Sequence, residues 1–401
     1  MNSVREKKLE KNFSRLFWIQ AFSTVRVFSI ISVLLFLHRG LTLSQVFYLS
    51  IVWSIINLIF EIPSSYLADK WGRKKTIILG TAFNLIFFIL LILARSFPIF
   101  ILAYIFSALQ FALFSGTIEA LVYDTNKELN QESDSLKKLG NFHSARHLFK
   151  IITPIVAVLI AKDLQGYQFN IIILIDLIAT ITALIISFKL IEANHYIDVE
   201  KQEANIIKDA FKLIKKDWQL TRAILSRVII FTAIFIMWRF HQKFFIDIDI
   251  SIITLGIMGA SINIIVFAFY QNIMKFVHSK NLTSKINILN YLVAFFLTLF
   301  VISTFMLTNK YWLLIIYGLI ITTEVMRWPL YSELYNKKSF SFNRATTLSL
   351  SNFLKSILDI PLIFIASVLI GININYPFIF SLTLVIIVII FFRIPKRIEK
   401  T

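Results

Sequence analysis

Ionisable side chains sit inside otherwise apolar runs of this 401-residue chain, and they are the groups whose types and spacing could do chemistry. Arg26, Glu61, Glu119, Arg146, Lys150, Asp176, Glu324, Arg327, Lys355 and Asp359 all lie in stretches rich in Ile, Leu and Phe, and Arg239, His241 and Lys243 cluster in another. In hydrocarbon such a group costs about 2.5 kcal/mol or more unless it is paired or faces water, so each one is a functional hypothesis by default. Glu324 and Arg327 are three apart, and Lys355 and Asp359 four apart. Each pair can therefore neutralise itself along one helix face, or serve a site. Arg239, His241 and Lys243 can snorkel to headgroups, and Asp176 reads as structural. Arg26, Glu61 and Glu119 have no partner on their own helix and must find one across helices or face water. A carboxylate in a partly dehydrated cavity can take a proton from one side and release it to the other.

The elements that would position these groups are membrane spans. The composition is 57% hydrophobic and 16% charged with no cysteine, which excludes disordered chains and thiolate-held metals. A net charge of +18 would suit a nucleic-acid binder, but a mean hydropathy of +0.75 calls for lipid as solvent. Twelve apolar runs are long enough to cross a bilayer, near 13–37, 44–67, 76–94, 98–123, 141–161, 168–191, 222–246, 252–277, 284–307, 311–335, 344–370 and 374–393. Lys and Arg crowd into alternate connections, for example Arg5 to Lys11, Lys70 to Lys75, Lys201 to Lys216 and Lys396 to Lys400. By the positive-inside rule both termini are cytoplasmic, in a multi-pass membrane protein. The first run is too long for a signal-peptide core and reads as a retained helix. The polar stretch 192–221 separates residues 1–191, with six spans, from residues 222–401, with six more. Within it Ile206, Ile207, Ala210, Phe211 and Ile214 recur at helical spacing, as in an amphipathic surface helix or a solvated linker helix.

One loop is more specific than composition. After the second run the chain reads Ser65-Tyr66-Leu67-Ala68-Asp69-Lys70-Trp71-Gly72-Arg73-Lys74-Lys75. Gly72 permits a tight turn, and Asp69 can accept from Arg73 or sit at a helix N-terminus. The stretch resembles the loop signature G-x-x-x-D-(R/K)-x-G-R-(R/K) of the major facilitator superfamily, with Ser65 in place of the first Gly. The resemblance implies an all-α membrane protein of twelve helices in two pseudo-symmetric six-helix bundles, with a midplane cavity and rocking-type alternating access. It also implies that Asp69, Gly72, Arg73 and Asp124 form a cytoplasmic gate motif.

The same resemblance places spans 1, 4, 7 and 10 around the cavity, which sorts the charges. Glu61 and Glu119 become proton carriers, with Arg26 and Arg146 as the cations that displace the proton. Arg26, Glu324, Arg327, Trp238 and Tyr317 become substrate contacts, although such aromatics also serve as interface anchors or packing. The expected function is secondary active transport of a small amphipathic molecule, coupled to protons and directed outward. Glu119 to Asp124 and Asn343 to Ser349 are similar to bacterial multidrug and natural-product efflux members. The alternative is proton-coupled uptake of a polar or anionic solute, kept open because His143 to Ala161 contains none of the glycines of the antiporter signature. A membrane-embedded transferase is the least supported reading: there is no H-E-x-x-H, no phosphate-binding loop and no acidic cluster spaced for a metal. The expected partners are thus a small-molecule substrate, protons and the lipid bilayer, with no nucleic acid, metal, cofactor or enzymatic activity, in a monomer.

Overall fold

The computed structural model describes residues 3–131, 138, 141–142, 145, 148–194, 218–271, 281–306, 309–338 and 344–395. Among the described residues the regular structure is helical: α1 (Ser3–Ser23), α2 (Ser32–His38), α3 (Leu43–Trp71), α4 (Arg73–Leu93), α5 (Phe97–Phe114), α6 (Thr117–Glu128), α7 (Ile152–Ile160) and α8 (Gly166–Phe188), then α9 (Trp218–Asp247), α10 (Ile252–Gln271), α11 (Leu282–Phe305), α12 (Lys310–Lys338), α13 (Arg344–Ile372) and α14 (Tyr376–Phe391). Among the described residues ten helical stretches are long and apolar enough to cross a membrane, and α14 is a shorter apolar helix. In the expected fifth span, α7 is nine residues long. The amphipathic segment expected around Ile206 to Ile214, and Arg146, lie outside the described residues.

The first and fourth expected spans are each interrupted by a defined break. The first breaks after α1: the Thr24 hydroxyl donates back to the Gln20 carbonyl at 2.6 Å, and a 3-10 turn, Val27–Ile31, precedes α2. The fourth breaks between α5 and α6 at Gly116, whose φ of +74° is a left-handed conformation that a glycine adopts without strain. Inside α3, α12 and α13, prolines 63, 329 and 361 each remove a backbone donor without ending the helix.

The chain divides into two compact units, Met1–Thr42 with Val52–Val199, and Leu43–Ile51 with Glu200–Thr401. The division differs from a simple split in sequence, because the first nine residues of α3 count with the second unit. There the Ser44 hydroxyl donates to the Ser367 carbonyl (2.7 Å), and Phe47 packs on Phe240. The core of the second unit is aromatic: Phe240, Phe244, Phe300 and Phe378 meet at centroid distances of 4.7–5.8 Å. In the first unit, Gly80 on α4 lets Phe114 and Leu113 approach so closely that an added Cβ would lie 2.8 Å from the Phe114 ring.

Candidate functional site

In the first unit the break of the first span is organised by Asp176. This buried carboxylate on α8 accepts the backbone N–H groups of Val27 and Phe28, both at 2.9 Å, and so supplies the cap that the 3-10 turn lacks. The expectation of a structural role thus has a definite geometry. The preceding residue, Arg26, has φ −140° and ψ 60°, outside the helical region. Its guanidinium lies over Phe87 and Phe88, 5.4 and 5.3 Å from the centroids, and donates to Asn84 Oδ1 (3.1 Å) and Gln110 Oε1 (3.5 Å). Asn84 in turn donates to Thr180, one turn beyond Asp176. Arg26, which has no partner on its own helix, therefore finds its acceptors across α4 and α5, at a point where backbone is interrupted inside a span.

Glu119 occupies the first turn of α6, immediately after the break at Gly116, where the helix N-terminus favours a carboxylate. Glu61 stands two residues before Pro63 on α3, and its carbonyl accepts from the Ser64 hydroxyl at 2.9 Å. Both side chains are half-buried.

The basic loop closes on itself within the first unit. Arg73 forms an ion pair with the buried Asp124 of α6 and a looser contact with Asp69, at 3.9 Å. Gly72, at φ +104°, is the N-cap of α4 and has no side chain to cap with. Glu192 replaces it: its carboxylate oxygens accept the N–H groups of Arg73 (2.9 Å) and Lys74 (2.8 Å). Sequence reasoning missed Glu192. The stretch that carries it is tied down throughout: Asn12 exchanges two hydrogen bonds with the Ile191 backbone, Arg5 donates to the Glu192 carbonyl, and Glu128 receives both Arg5 and the Asn194 N–H.

In the second unit both expected intrahelical pairs form, Glu324 with Arg327 and Lys355 with Asp359. Their environments differ. Arg327, expected to contact substrate, is 1% exposed; it donates to Asn290 Oδ1 (2.8 Å) and the Ser226 carbonyl (3.4 Å) and knits α9, α11 and α12 together. Tyr317 is equally buried, stacked on His241. Trp238 is 36% exposed. Asp359 also receives the Thr232 hydroxyl at 2.6 Å. Arg239 does not snorkel as expected: it is 6% exposed, and it donates to the Val46 carbonyl. Lys243 pairs with Asp247 near the end of α9. A cavity of about 290 Å³ elsewhere in this unit is lined by Phe244, Asp247, Ser303, Lys310, Leu313 and Asn375, among others, and by none of the expected substrate or proton-coupling residues.

This architecture has relatives. The family model described as Major Facilitator Superfamily matches residues 16–360. The chain belongs to the Major Facilitator Superfamily. An uncharacterized member, the MFS-type transporter YxaM of Bacillus subtilis (strain 168), is 23% identical over 245 residues; the match spans 58% of this chain and 58% of that relative's length. Among solved structures of the superfamily fold, the nucleoside transporter NupG superposes with a TM-score of 0.77 at 13% identity, covering 96% of this chain and 98% of that one. A D-xylose-proton symporter gives 0.74 at 12%, covering 98% of each. A POT family transporter solved with 5-aminolevulinic acid gives 0.74 at 12%, covering 95% of each. These likenesses establish the fold, an all-α multi-pass membrane protein.

Proposed function

We propose that this protein is a secondary transporter that carries a small amphipathic molecule across a bacterial cytoplasmic membrane by alternating access, driven by protons and directed outward. The observation that carries the reading is the pair of helix breaks in the first and fourth spans, one at Arg26 and the other just before Glu119. Broken helices place backbone polarity at membrane depth, which is tolerable only where it is buried in protein or lines a cavity, and in transporters of this kind such breaks surround the substrate and coupling-ion sites. In this reading Glu61 and Glu119 carry the proton and Arg26 tunes its release, with Arg146 as a further candidate. Asp69, Gly72, Arg73 and Asp124 hold the gate on the side of the basic loops. Arg26 in the first unit, and Trp238, Glu324, Arg327 and Tyr317 in the second, are the candidate substrate contacts. The protein works as a monomer with both termini in the cytoplasm.

The test is flux in proteoliposomes under an imposed pH gradient. Glu61→Gln and Glu119→Gln, singly or together, are expected to abolish gradient-driven transport while leaving substrate exchange. Intact gradient-driven transport in the double variant would overturn the coupling assignment. The second reading, proton-coupled uptake of a polar solute, is favoured by the similarity in fold to a D-xylose-proton symporter and by the glycine-free stretch 143–161. The side on which substrate must be supplied for uphill flux decides between the two.

A further inference from the structure

The turn between α3 and α4 carries a surface that the gate motif does not use. Along the exposed face of α3, Ile55, Ile59 and Pro63 lead to Tyr66 and then to Lys70, at steps of three or four residues. Tyr66 is 61% exposed, and the Lys70 Nζ stands over its ring, 5.7 Å from the centroid. On α4, Lys75 shares a face with the exposed Ile89 and Leu93, about four and five turns further on. Its Nζ stands 5.9 Å from the ring centroid of Trp71, which is 45% exposed. Both stripes thus run from aliphatic side chains to an aromatic ring paired with an ammonium, the order of a bilayer from hydrocarbon through interface to headgroup.

The acids around this turn are engaged by other groups. Asp124 pairs with Arg73, Asp69 lies 3.9 Å from Arg73, and the two oxygens of Glu192 take the N–H groups at the start of α4. Among the described residues none of the Lys70, Lys74 and Lys75 side chains forms an ion pair. A ring face offers no lone pair to an N–H, so the ammonium groups over Tyr66 and Trp71 keep their donors for another acceptor. Lys70 and Lys75 are exposed and Lys74 is half-buried. Three like charges between positions 70 and 75, beside two exposed rings at the end of two apolar spans, fit a ligand with a compact negative head and a hydrocarbon body.

We propose that this turn binds the headgroup of an anionic phospholipid in the leaflet beside the basic loops. Lys70, Lys74 and Lys75 take the phosphate, Tyr66 and Trp71 meet the glycerol backbone, and the acyl chains follow the exposed stripes of α3 and α4. The occupant is a membrane anion rather than a soluble one, because the exposed aliphatic residues run directly into the cationic end. Each lysine near an anionic membrane surface contributes about fivefold in affinity. The site adds a lipid partner to the transport reading and does not depend on it. It also touches the gate motif: Arg73, which holds Asp124, lies between Lys70 and Lys74 in the chain, so a bound headgroup fixes the turn from which Arg73 reaches α6.

The experiment uses the purified full chain in detergent, titrated with dioleoyl phosphatidylglycerol, dioleoyl phosphatidylcholine or inorganic phosphate, with bound molecules counted by native mass spectrometry. Phosphatidylglycerol is expected to bind at least about tenfold more tightly than phosphatidylcholine. Lys70→Gln/Lys74→Gln/Lys75→Gln is expected to remove that preference. Lys70→Arg/Lys74→Arg/Lys75→Arg, which keeps the charge, is expected to retain it, so that a loss seen with Gln is not mistaken for unfolding. Trp71→Ala is expected to weaken both lipids and keep the preference. A control takes the same charge from another basic stretch: Lys7→Gln/Lys8→Gln/Lys11→Gln is expected to change the preference less than about twofold. Equal affinity for the two lipids would overturn the proposal. So would equal losses in the two triple glutamine variants, which would show only a diffuse attraction of basic loops for anionic lipid. Displacement of the bound lipid by an equal concentration of inorganic phosphate would also overturn it, by making the turn a site for a free anion.

Discussion

Replacing Glu192 removes the side-chain cap of α4. Its carboxylate accepts two N–H groups at 2.9 and 2.8 Å, from Arg73 and Lys74, at the positive end of a 21-residue helix. Loss of an N-cap costs about 0.5–2 kcal/mol, and a hydrogen bond to a charged group contributes about 1.5–3 kcal/mol. Gly72 offers no replacement, but the two donors sit near the surface where water can take over part of the role. Glu192→Ala is therefore expected to cost about 2–3 kcal/mol and Glu192→Gln, which keeps one acceptor, about 1 kcal/mol. For a unit of roughly 200 residues each kcal/mol lowers Tm by about 2–4 °C, so the alanine variant should melt about 4–12 °C lower. The assay is thermal unfolding in detergent, paired with hydrogen exchange of a peptide covering 73–79, whose first amides should exchange faster. A partner substitution sharpens it. A Cβ at Gly72 would stand 3.0 Å from Glu192 Oε2 and would carry a φ of +104°. Gly72→Ala is expected to lose the steric part of its cost in the Glu192→Ala background and to keep the backbone part, about 1–2 kcal/mol. Unchanged Tm and unchanged exchange in Glu192→Ala would refute the capping argument.

Other consequences follow from the buried polar groups. Asp176→Asn keeps one acceptor but turns an amide donor toward a backbone N–H, so one buried N–H is orphaned; thermal unfolding should show a loss of about 1–3 kcal/mol, and none if water enters the break. Either member of the Glu324 and Arg327 pair replaced alone, by Gln or Met, should cost about 3–5 kcal/mol, and the double variant should lose less than the two singles together, as a double-mutant cycle would measure. Gly80→Ala should cost about 1–3 kcal/mol, because the new methyl meets Phe114 and Leu113; a Tm equal to that of the parent would mean α4 and α5 separate freely there.

How much of this was legible in the sequence differs from element to element. The spans were readable because hydropathy acts residue by residue, and the pairs Glu324 with Arg327 and Lys355 with Asp359 were readable because helical spacing alone brings them together. The break at Arg26 was not, since its decisive partner, Asp176, lies 150 positions away and Val27 to Leu37 is as apolar as an unbroken span. Gly116 was a visible signal of the second break, in Ser115-Gly116-Thr117, but a glycine in an apolar run is as often a packing site. Glu192 was hidden for the same reason as Asp176: a cap supplied from 119 residues away leaves no local pattern. Arg327 and Arg227 illustrate the limit most directly. They are of one type on neighbouring helices, and only packing decides that the first is enclosed by Asn290 and Ser226 while the second lies against the exposed indole of Trp328.

In the proposed function Glu61 and Glu119 couple proton movement to the movement of substrate. The most direct measurement is proton movement on addition of substrate to proteoliposomes containing the purified protein and a pH-sensitive dye. The account predicts substrate-dependent proton flux in the parent, abolished in Glu61→Gln/Glu119→Gln while substrate counterflow persists. Substrate-dependent proton flux of parental size in that double variant would contradict it.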